Sequence, residues 1–527
     1  MVFNSLPFVC FMTGTLLAFY LIPKKAQWCF LLVCSYIFYT IADPRYLIFI
    51  AATTITVWFA AIKVEKINNE QKEYLKAHKG EISKADKQAY KDKMKSRRWK
   101  WLLICLLLNL GILSVTKYTN FMIKNINDIF SGAVSLKPVD IIVPLGISFY
   151  TFQSLGYLID VYRAKHEAQH NIFKFALFVS FFPQLAQGPI CRYSDLAPSL
   201  LAQHRFDRKN FSYGVMRILW GYFKKVVIAD RVVTGLSTIV GSTEYTGAYV
   251  LCAMFFYALQ LYCDFTGGID ITIGIAEAMG IKVTENFNLP YFSKNIKEYW
   301  NRWHITMGSW FTDYIFYPIS VCSPMLKLSK WSRKHLPAGI GKRVTVYIAC
   351  FVVWLATGIW HGAAWHFVAW GLTNYVVIMI SQELEPAYAR FHKRFKVKDK
   401  AFYTVFQIIR TICLMSAIRM FDCYRDVGTT FKMMWSMITS FRFSTFYDGS
   451  LMKIGLSASD YMILAVGTAV VLTVSIIKAR KGSVRDGIYA RSSIGFYNIC
   501  AVLLVSTLVF GAYGVGYDQS QFIYTQF

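Results

Sequence analysis

The chain has 527 residues, of which 55% are hydrophobic, 17% aromatic and only 17% charged. Soluble domains carry about 25% charged residues. Apolar stretches close to the ~20 residues that cross a bilayer as a helix recur from end to end. This composition argues against a soluble enzyme, a disordered scaffold and a secreted disulfide-stabilised protein. It predicts an all-α polytopic membrane protein.

The chain is strongly basic, with 57 Lys and Arg against 30 Asp and Glu and a net charge of +27. In a soluble protein this excess would suggest nucleic acid as a partner. Here the basic residues are concentrated in connecting loops, which is typical of the cytoplasmic loops of membrane proteins. We therefore expect membrane lipids and no nucleic acid. The twelve cysteines form no CxxC pair, and we expect neither a disulfide framework nor a metal site.

The first part of the chain predicts four membrane helices, at residues 5–22, 27–42, 45–62 and 100–118. Between the last two, residues 63–100 contain 13 Lys or Arg and 6 Asp or Glu in a helix-favouring sequence. We interpret this segment as a cytoplasmic helical hairpin. The N-terminus is then expected to face outward.

The middle of the chain is interrupted by Gly, Pro and Asp. Residues 141–160 are broken by Pro144 and Gly146, which predicts a kinked or re-entrant element. The sequence leaves open which of the next four apolar stretches cross fully; they are residues 173–190, 215–229, 249–265 and 267–280.

The C-terminal part alternates apolar stretches with basic loops. The apolar stretches are residues 344–360, 362–380, 402–420, 461–477 and 496–513, and the basic loops are residues 327–343, 390–400 and 478–491. With the basic loops inside, an even number of crossings is predicted, most simply about twelve, with both termini outside. Residues 515–527 would then form an extracytoplasmic tail.

His361 lies where two apolar stretches meet, in the string TGIWHGAAW at 357–365. Trp365 is predicted one helical turn further on, over the same face. A neutral imidazole in such a pocket can act as a general base near neutral pH. A packed histidine that donates a hydrogen bond to a backbone carbonyl fits the pattern equally well.

His304 ends the string WNRWH at 300–304. The spacing predicts that Trp300, Trp303 and His304 share a helix face, with Arg302 directed elsewhere toward a carboxylate or an anionic donor. Interfacial anchoring would explain the tryptophans equally well. Asp264 and Asp270 lie in or beside apolar stretches, and we expect them to pair with basic residues or to orient a histidine.

Several further motifs occur in a fixed order with the two histidine strings. They are VPLGISFYTF at 143–152, FPQ at 182–184, GPI at 188–190, YCDF at 262–265 and NFNLPY at 286–291. Together they resemble the membrane-bound O-acyltransferase family, in particular its bacterial branch around the alginate O-acetyltransferase membrane subunit. The likeness covers nearly the whole chain and is densest from 140 to 372.

The resemblance implies one membrane domain over residues 1–527, a ring of transmembrane helices around a central tunnel with re-entrant elements. It implies that His361 is catalytic and that His304 lies in a second hallmark string. The terminal FIYTQF at 522–527 is similar to a motif in which the tyrosine, here Tyr524, relays the acyl group; a terminus with chance aromatics is the alternative. The expected substrate-binding residues are Trp300, Arg302, Trp303, Trp360, Trp365 and Asp264.

The function that the resemblance implies is acyl transfer in a bacterial cell membrane. The expected donor is a cytoplasmic thioester, acetyl-CoA, used as a substrate with no tightly bound cofactor. The expected acceptor is a cell-envelope or secreted polysaccharide, reached through an extracytoplasmic SGNH-type acyltransferase partner. Two alternatives stay open: D-alanyl transfer from a carrier protein to teichoic acid, and a transporter or lipid flippase without covalent chemistry.

Overall fold

The computed structural model describes residues 5–130, 135–398 and 400–513. Regular structure in these ranges is helical, apart from one isolated antiparallel bridge between Phe287 and Trp303. Eight helical segments there are long and apolar enough to cross a membrane: Lys24–Ala42, Tyr46–Ala77, Lys84–Ile129, Ala248–Ala278, Val344–His361, Ala401–Tyr424, Ala458–Lys481 and Ser493–Phe510. The all-α polytopic prediction is confirmed. The count of twelve crossings and the ring around a tunnel stay predictions.

The described residues form two compact units, the first comprising residues 5–211 and 275–284 and the second residues 212–274 and 285–513. The first unit contains eight helices in chain order: α1 (Leu6–Leu21), α2 (Gln27–Ala42), α3 (Tyr46–Ala77), α4 (Lys84–Ile129), α5 (Ile147–Tyr162), α6 (Ile172–Ser180), α7 (Phe182–Leu185) and α8 (Tyr193–Leu200). The apolar stretch predicted at 173–190 is thus divided into short helices.

The helical hairpin expected at residues 63–100 is present. Helices α3 and α4 have 32 and 46 residues, or about 48 and 69 Å at ~1.5 Å per residue. Both therefore exceed the ~30 Å hydrocarbon core. Arg97 pairs with Glu70 at 2.9 Å across the hairpin, and the Tyr74 and Tyr90 rings stack at 4.0 Å.

The break predicted at Pro144 and Gly146 is also present, because α5 begins only at Ile147. Gly146 has a φ of +70° and caps this helix in the left-handed conformation. The carbonyl oxygen of Leu185 occupies the place that a Cβ at Gly146 would need. Only glycine fits both the conformation and the close approach.

The second unit holds most of the remaining helices, with α9 and α11 contributing residues to both units. In chain order they are α9 (Arg208–Tyr222), α10 (Asp230–Val240), α11 (Ala248–Ala278), α12 (Ile296–Arg302), α13 (Ile305–Phe311), α14 (Tyr317–Val321), α15 (Ser323–His335), α16 (Ala338–Gly341), α17 (Val344–His361), α18 (Trp365–Glu383), α19 (Glu385–Phe395), α20 (Ala401–Ile418), α21 (Met420–Tyr424), α22 (Val427–Thr439), α23 (Ala458–Lys481), α24 (Val484–Arg491) and α25 (Ser493–Phe510).

Helix α11 is continuous over 31 residues, although the sequence suggested two apolar stretches within it. Asp264 and Asp270 interrupt the apolar pattern without interrupting the helix. A π-helical turn, Phe223–Ala229, joins α9 to α10 and supplies the cations that pair with these carboxylates. Turns of this kind are frequent at functional sites.

Candidate active site

The backbone around His304 is held by hydrogen bonds to residues 286–288 rather than by a continuous helix. Helix α12 ends at Arg302, Trp303 is extended, and His304 adopts the left-handed conformation with φ +49°. Asn288 N–H donates to Arg302 O, and Ile305 N–H donates to Asn286 O, both at 2.9 Å. The prediction that Trp300, Trp303 and His304 share a helix face is therefore wrong, because the helix stops before Trp303.

The side chain of Asn286 fixes the His304 imidazole. Its Oδ1 accepts from Thr306 N–H at 3.1 Å and from the Thr306 hydroxyl at 2.8 Å, and it lies 3.1 Å from His304 Nδ1. With oxygen assigned as the facing atom, Nδ1 carries the proton and Nε2 the lone pair. Burial, reinforced by the positive charge of Arg419, lowers the pKa of His304 to about 3. The imidazole is therefore neutral at physiological pH.

His361 is the last residue of α17 and is buried among aromatic rings. Its ring centroid lies 4.7 Å from that of Trp370, 5.0 Å from that of Trp360 and 6.2 Å from that of Phe367. The chain breaks after His361, and α18 starts at Trp365, whose side chain is 60% exposed. The prediction that Trp365 lies one turn further along the same helix is therefore wrong. The extended backbone at Gly362 and Ala364 separates Trp365 from His361.

Two glycines let α17 and α18 cross closely beside His361. A Cβ at Gly371 would lie 2.5 Å from Trp354 O and 3.2 Å from the Cα of Gly358. A Cβ at Gly358 would lie 2.6 Å from Phe367 O. Small residues at a helix crossing are how membrane helices pack backbone against backbone. The two glycines thus bring the helix backbones into contact near His361.

The structure brings the two histidine strings together at one indole. The Trp360 ring centroid lies 5.0 Å from that of His361 and 6.2 Å from that of His304. Phe265 packs edge-on against His304 at 5.0 Å. The site thus contains two buried imidazoles in an apolar aromatic surrounding, which shields them from water.

Two of the predicted binding residues have ionic partners in the structure. The Arg302 guanidinium pairs with Glu298 at 2.6 Å, one helical turn back. The Asp264 carboxylate pairs with the Lys225 ammonium at 2.5 Å and is 1% exposed. The structure therefore favours the first of the two interpretations of Asp264, pairing with a basic residue. Tyr524 lies outside the described residues.

Asp264 belongs to a larger buried ionic cluster that the sequence analysis did not assemble. Lys225 also pairs with Asp230 at 2.5 Å, while Lys224 pairs with Asp270 at 2.7 Å. Arg217 pairs with the same Asp270 at 2.9 Å. The lysines lie in the predicted apolar stretch at 215–229, so the rule that marks ionisable residues among apolar ones could have found them.

Arg419 and Asp422 are a second buried pair that the sequence analysis missed. The Arg419 Nη1 lies 3.0 Å from Asp422 Oδ2, and both side chains are less than a tenth exposed. The guanidinium carbon lies over the rings of Trp300, Trp303 and Trp370 at 5.5, 5.3 and 4.8 Å. Trp300 and Trp303 are thus part of the same buried surrounding as the histidines, but their immediate partner is a cation of the protein.

Comparison with known proteins identifies the family that the motifs of this chain resemble. The model of MBOAT, the membrane-bound O-acyltransferase family, matches residues 161–424. The probable alginate O-acetylase AlgI of Pseudomonas aeruginosa is 30% identical over 388 residues, which is 73% of this chain and 66% of that protein. The peptidoglycan O-acetyltransferase of Helicobacter pylori is 29% identical over 391 residues, which is 69% of this chain and 66% of that protein.

A teichoic acid D-alanyltransferase from Bacillus subtilis is also similar, with 28% identity over 281 residues, which is 52% of this chain and 67% of that protein. The match therefore spans about two thirds of the length of each of these relatives. The predicted resemblance is confirmed. The chain is a multi-pass membrane protein that belongs to the membrane-bound O-acyltransferase family.

Proposed function

We propose that the chain transfers an acetyl group from acetyl-CoA, bound at the cytoplasmic face of a bacterial cell membrane, toward hydroxyl groups of a cell-envelope or secreted polysaccharide. The observation that carries the proposal is the packing of both His304 and His361 against the Trp360 indole. Acetyl is favoured over D-alanyl because the alginate O-acetylase match covers 73% of this chain, and the D-alanyltransferase match covers 52%.

In this proposal His361 is the general base. The acceptor hydroxyl gives its proton to the imidazole while its oxygen bonds to the carbonyl carbon of the thioester. The carbon–sulfur bond then breaks, and the leaving thiolate takes the proton back from the imidazolium. His304, held neutral by burial and by Asn286, presents the Nε2 lone pair as a hydrogen-bond acceptor for positioning on the donor side.

The first test is His361→Ala. Loss of a general base costs ~10²–10⁴ in rate, so we expect polysaccharide acetylation in cells to fall by about that factor while the protein still inserts. His304→Ala should reduce the rate less, because other contacts share the positioning of the donor. The control is His392→Ala, which removes an imidazole that contacts the Tyr403 hydroxyl at 2.9 Å. Near-normal acetylation with His361→Ala would contradict the assignment.

We further propose that Tyr524, outside the described residues, is the first acyl acceptor and passes the group to a partner of the SGNH type. A phenol has a pKa of about 10 and an imidazolium a pKa of about 6.5, so a neutral imidazole at His361 can take the phenol proton as the ester forms. The aryl ester is more activated than an alkyl ester, so it can transfer its acyl group to a serine or a sugar hydroxyl.

Tyr524→Phe tests the relay, because it removes one oxygen and keeps the ring. We expect no acyl delivery outside the cell, with membrane insertion intact. Mass spectrometry of the wild type incubated with acetyl-CoA should find an acetyl group on Tyr524. Full activity in Tyr524→Phe would leave His361 acting directly on the final acceptor. If Tyr524 were labelled by a D-alanyl carrier protein and not by acetyl-CoA, D-alanyl would replace acetyl as the proposed acyl group.

A further inference from the structure

Arg419 is a buried cation at the junction of α20 and α21. Its side chain is 7% exposed and its Nη1 lies 3.0 Å from Asp422 Oδ2. A buried charge is costly unless it is paired, and removing one partner of such a pair leaves the other charge uncompensated. The planar guanidinium also stacks on aromatic faces in a way that a lysine ammonium does not. Its position is therefore fixed from two directions, by a carboxylate and by aromatic rings.

The rings that surround Arg419 come from the first histidine string, at 300–304, and from α18, which follows the second string. Trp303 immediately precedes His304, and its ring lies 5.3 Å from the guanidinium carbon. Trp370 lies in α18, 4.8 Å from the same carbon. Trp300 completes the surrounding at 5.5 Å, and its indole N–H donates to Asn374 Oδ1 at 3.2 Å. One guanidinium thus contacts side chains of α12, of the turn before His304, and of α18.

The contact that reaches the proposed base is the Trp370 indole. Its ring meets the His361 ring edge to face, with centroids 4.7 Å apart and an interplanar angle of 73°. Arg419 lies on the same indole. The orientation of the His361 imidazole therefore depends on where Trp370 lies, and Trp370 is held by the cation. This chain of contacts is continuous from Asp422 to His361.

We propose that Arg419, fixed by Asp422, is a positioning residue for acyl transfer that holds Trp370 against His361 and keeps the two histidine strings in register. The proposal rests on the proposed function, because it assigns Arg419 a role through His361. The proposed role does not require Arg419 to contact the donor or the acceptor. It therefore predicts a loss in the turnover rate and little change in the apparent affinity for the donor.

The experiment uses the full chain in lipid nanodiscs with [¹⁴C]acetyl-CoA as the probe, and counts acetyl transferred or released. A misplaced catalytic group costs about 10²-fold, so Arg419→Gln should lower kcat by about that factor with the KM for acetyl-CoA within about twofold. Arg419→Lys keeps the charge but not the planar stacking, and should recover about tenfold of that loss. The kcat of Asp422→Asn should lie between that of Arg419→Gln and that of Arg419→Lys.

The matched control is Arg231→Met, which also removes a buried guanidinium from its pair with a carboxylate of the same unit, that of Asp460. We expect it to lower the melting temperature without changing kcat by more than about twofold. Wild-type kcat in folded Arg419→Gln, or an equal loss of kcat in Arg231→Met, would overturn the proposal. If Arg419→Gln does not accumulate, Arg419→Lys decides: a reduced kcat at wild-type melting temperature supports the role, and a full kcat overturns it.

Failure of the proposed function gives a different result. In that case the wild type transfers no acetyl from [¹⁴C]acetyl-CoA and does not differ from His361→Ala. An active wild type that depends on His361 but not on Arg419 contradicts only the positioning role. The two outcomes are read from the same set of variants.

Discussion

At the scale of single residues, the protonation of His304 has a consequence for stability. Burial lowers its pKa from 6.5 to about 3 in the folded protein, so between these values the unfolded chain binds a proton that the folded chain does not. Stability must then rise with pH in this window and fall as the medium is acidified. Well below pH 6.5, this one group contributes a slope that approaches about 1.4 kcal/mol per pH unit.

We expect His304→Asn to remove this contribution. Asparagine tolerates the left-handed backbone at φ +49° and does not titrate. The measurement is the free energy of unfolding in mixed micelles from pH 5 to 7, a range in which most carboxylates stay ionised. The wild type should lose stability on acidification faster than the variant does. Parallel pH dependences would show that the imidazole is not held neutral.

At the scale of helices, the crossing of α17 and α18 fixes the end of α17 that carries His361. An added methyl at Gly371 would lie 2.5 Å from Trp354 O, so the helices must move apart. We expect Gly371→Ala to cost about 1–3 kcal/mol, as overpacking does. It should also lower acyl transfer more than it lowers the amount of folded protein. Thermal melting and acetylation assays on the same preparation measure the two effects.

The matched control is Gly111→Ala in α4, a glycine in a helix interior where an added Cβ meets nothing within 4 Å. Alanine there should be neutral or stabilising by about 0.5–1 kcal/mol, because it lowers the backbone entropy lost on folding. If Gly371→Ala behaved like Gly111→Ala, close approach of the two helices would not be what places His361.

At the scale of the whole molecule, loop charge predicts which side each basic segment occupies. The hairpin of α3 and α4 extends well past the length of a membrane crossing and carries 13 Lys or Arg between residues 63 and 100. We expect this hairpin in the cytoplasm. A single cysteine at Tyr90 in a cysteine-free chain should react with a membrane-impermeant maleimide only after the cells are permeabilised. Labelling of intact cells would reverse the orientation.

The sequence by itself determined the class of the protein and the candidates for its site. Composition and apolar length predicted an all-α polytopic chain, because a segment that crosses lipid must satisfy its backbone within itself. The basic run at 63–100 predicted the hairpin, and Pro144 with Gly146 predicted the break before α5. The order of the motifs, with His304 and His361 among them, was specific enough to indicate the family. Each of these signals depends on residues that are close together in the sequence, so the sequence alone contains it.

Only the tertiary structure decided which side chains meet. The helix before His304 ends at Arg302 because residues 286–288 bond to its continuation, and no local pattern announces that partner. Asp264 lies within a continuous helix because Lys225, from a π turn earlier in the chain, neutralises it. Arg419, from a third segment, contacts Trp303 beside His304 and Trp370, whose ring meets that of His361. A charge in an apolar stretch must find a counter-charge, but sequence does not say which one, since the choice depends on distances that packing sets.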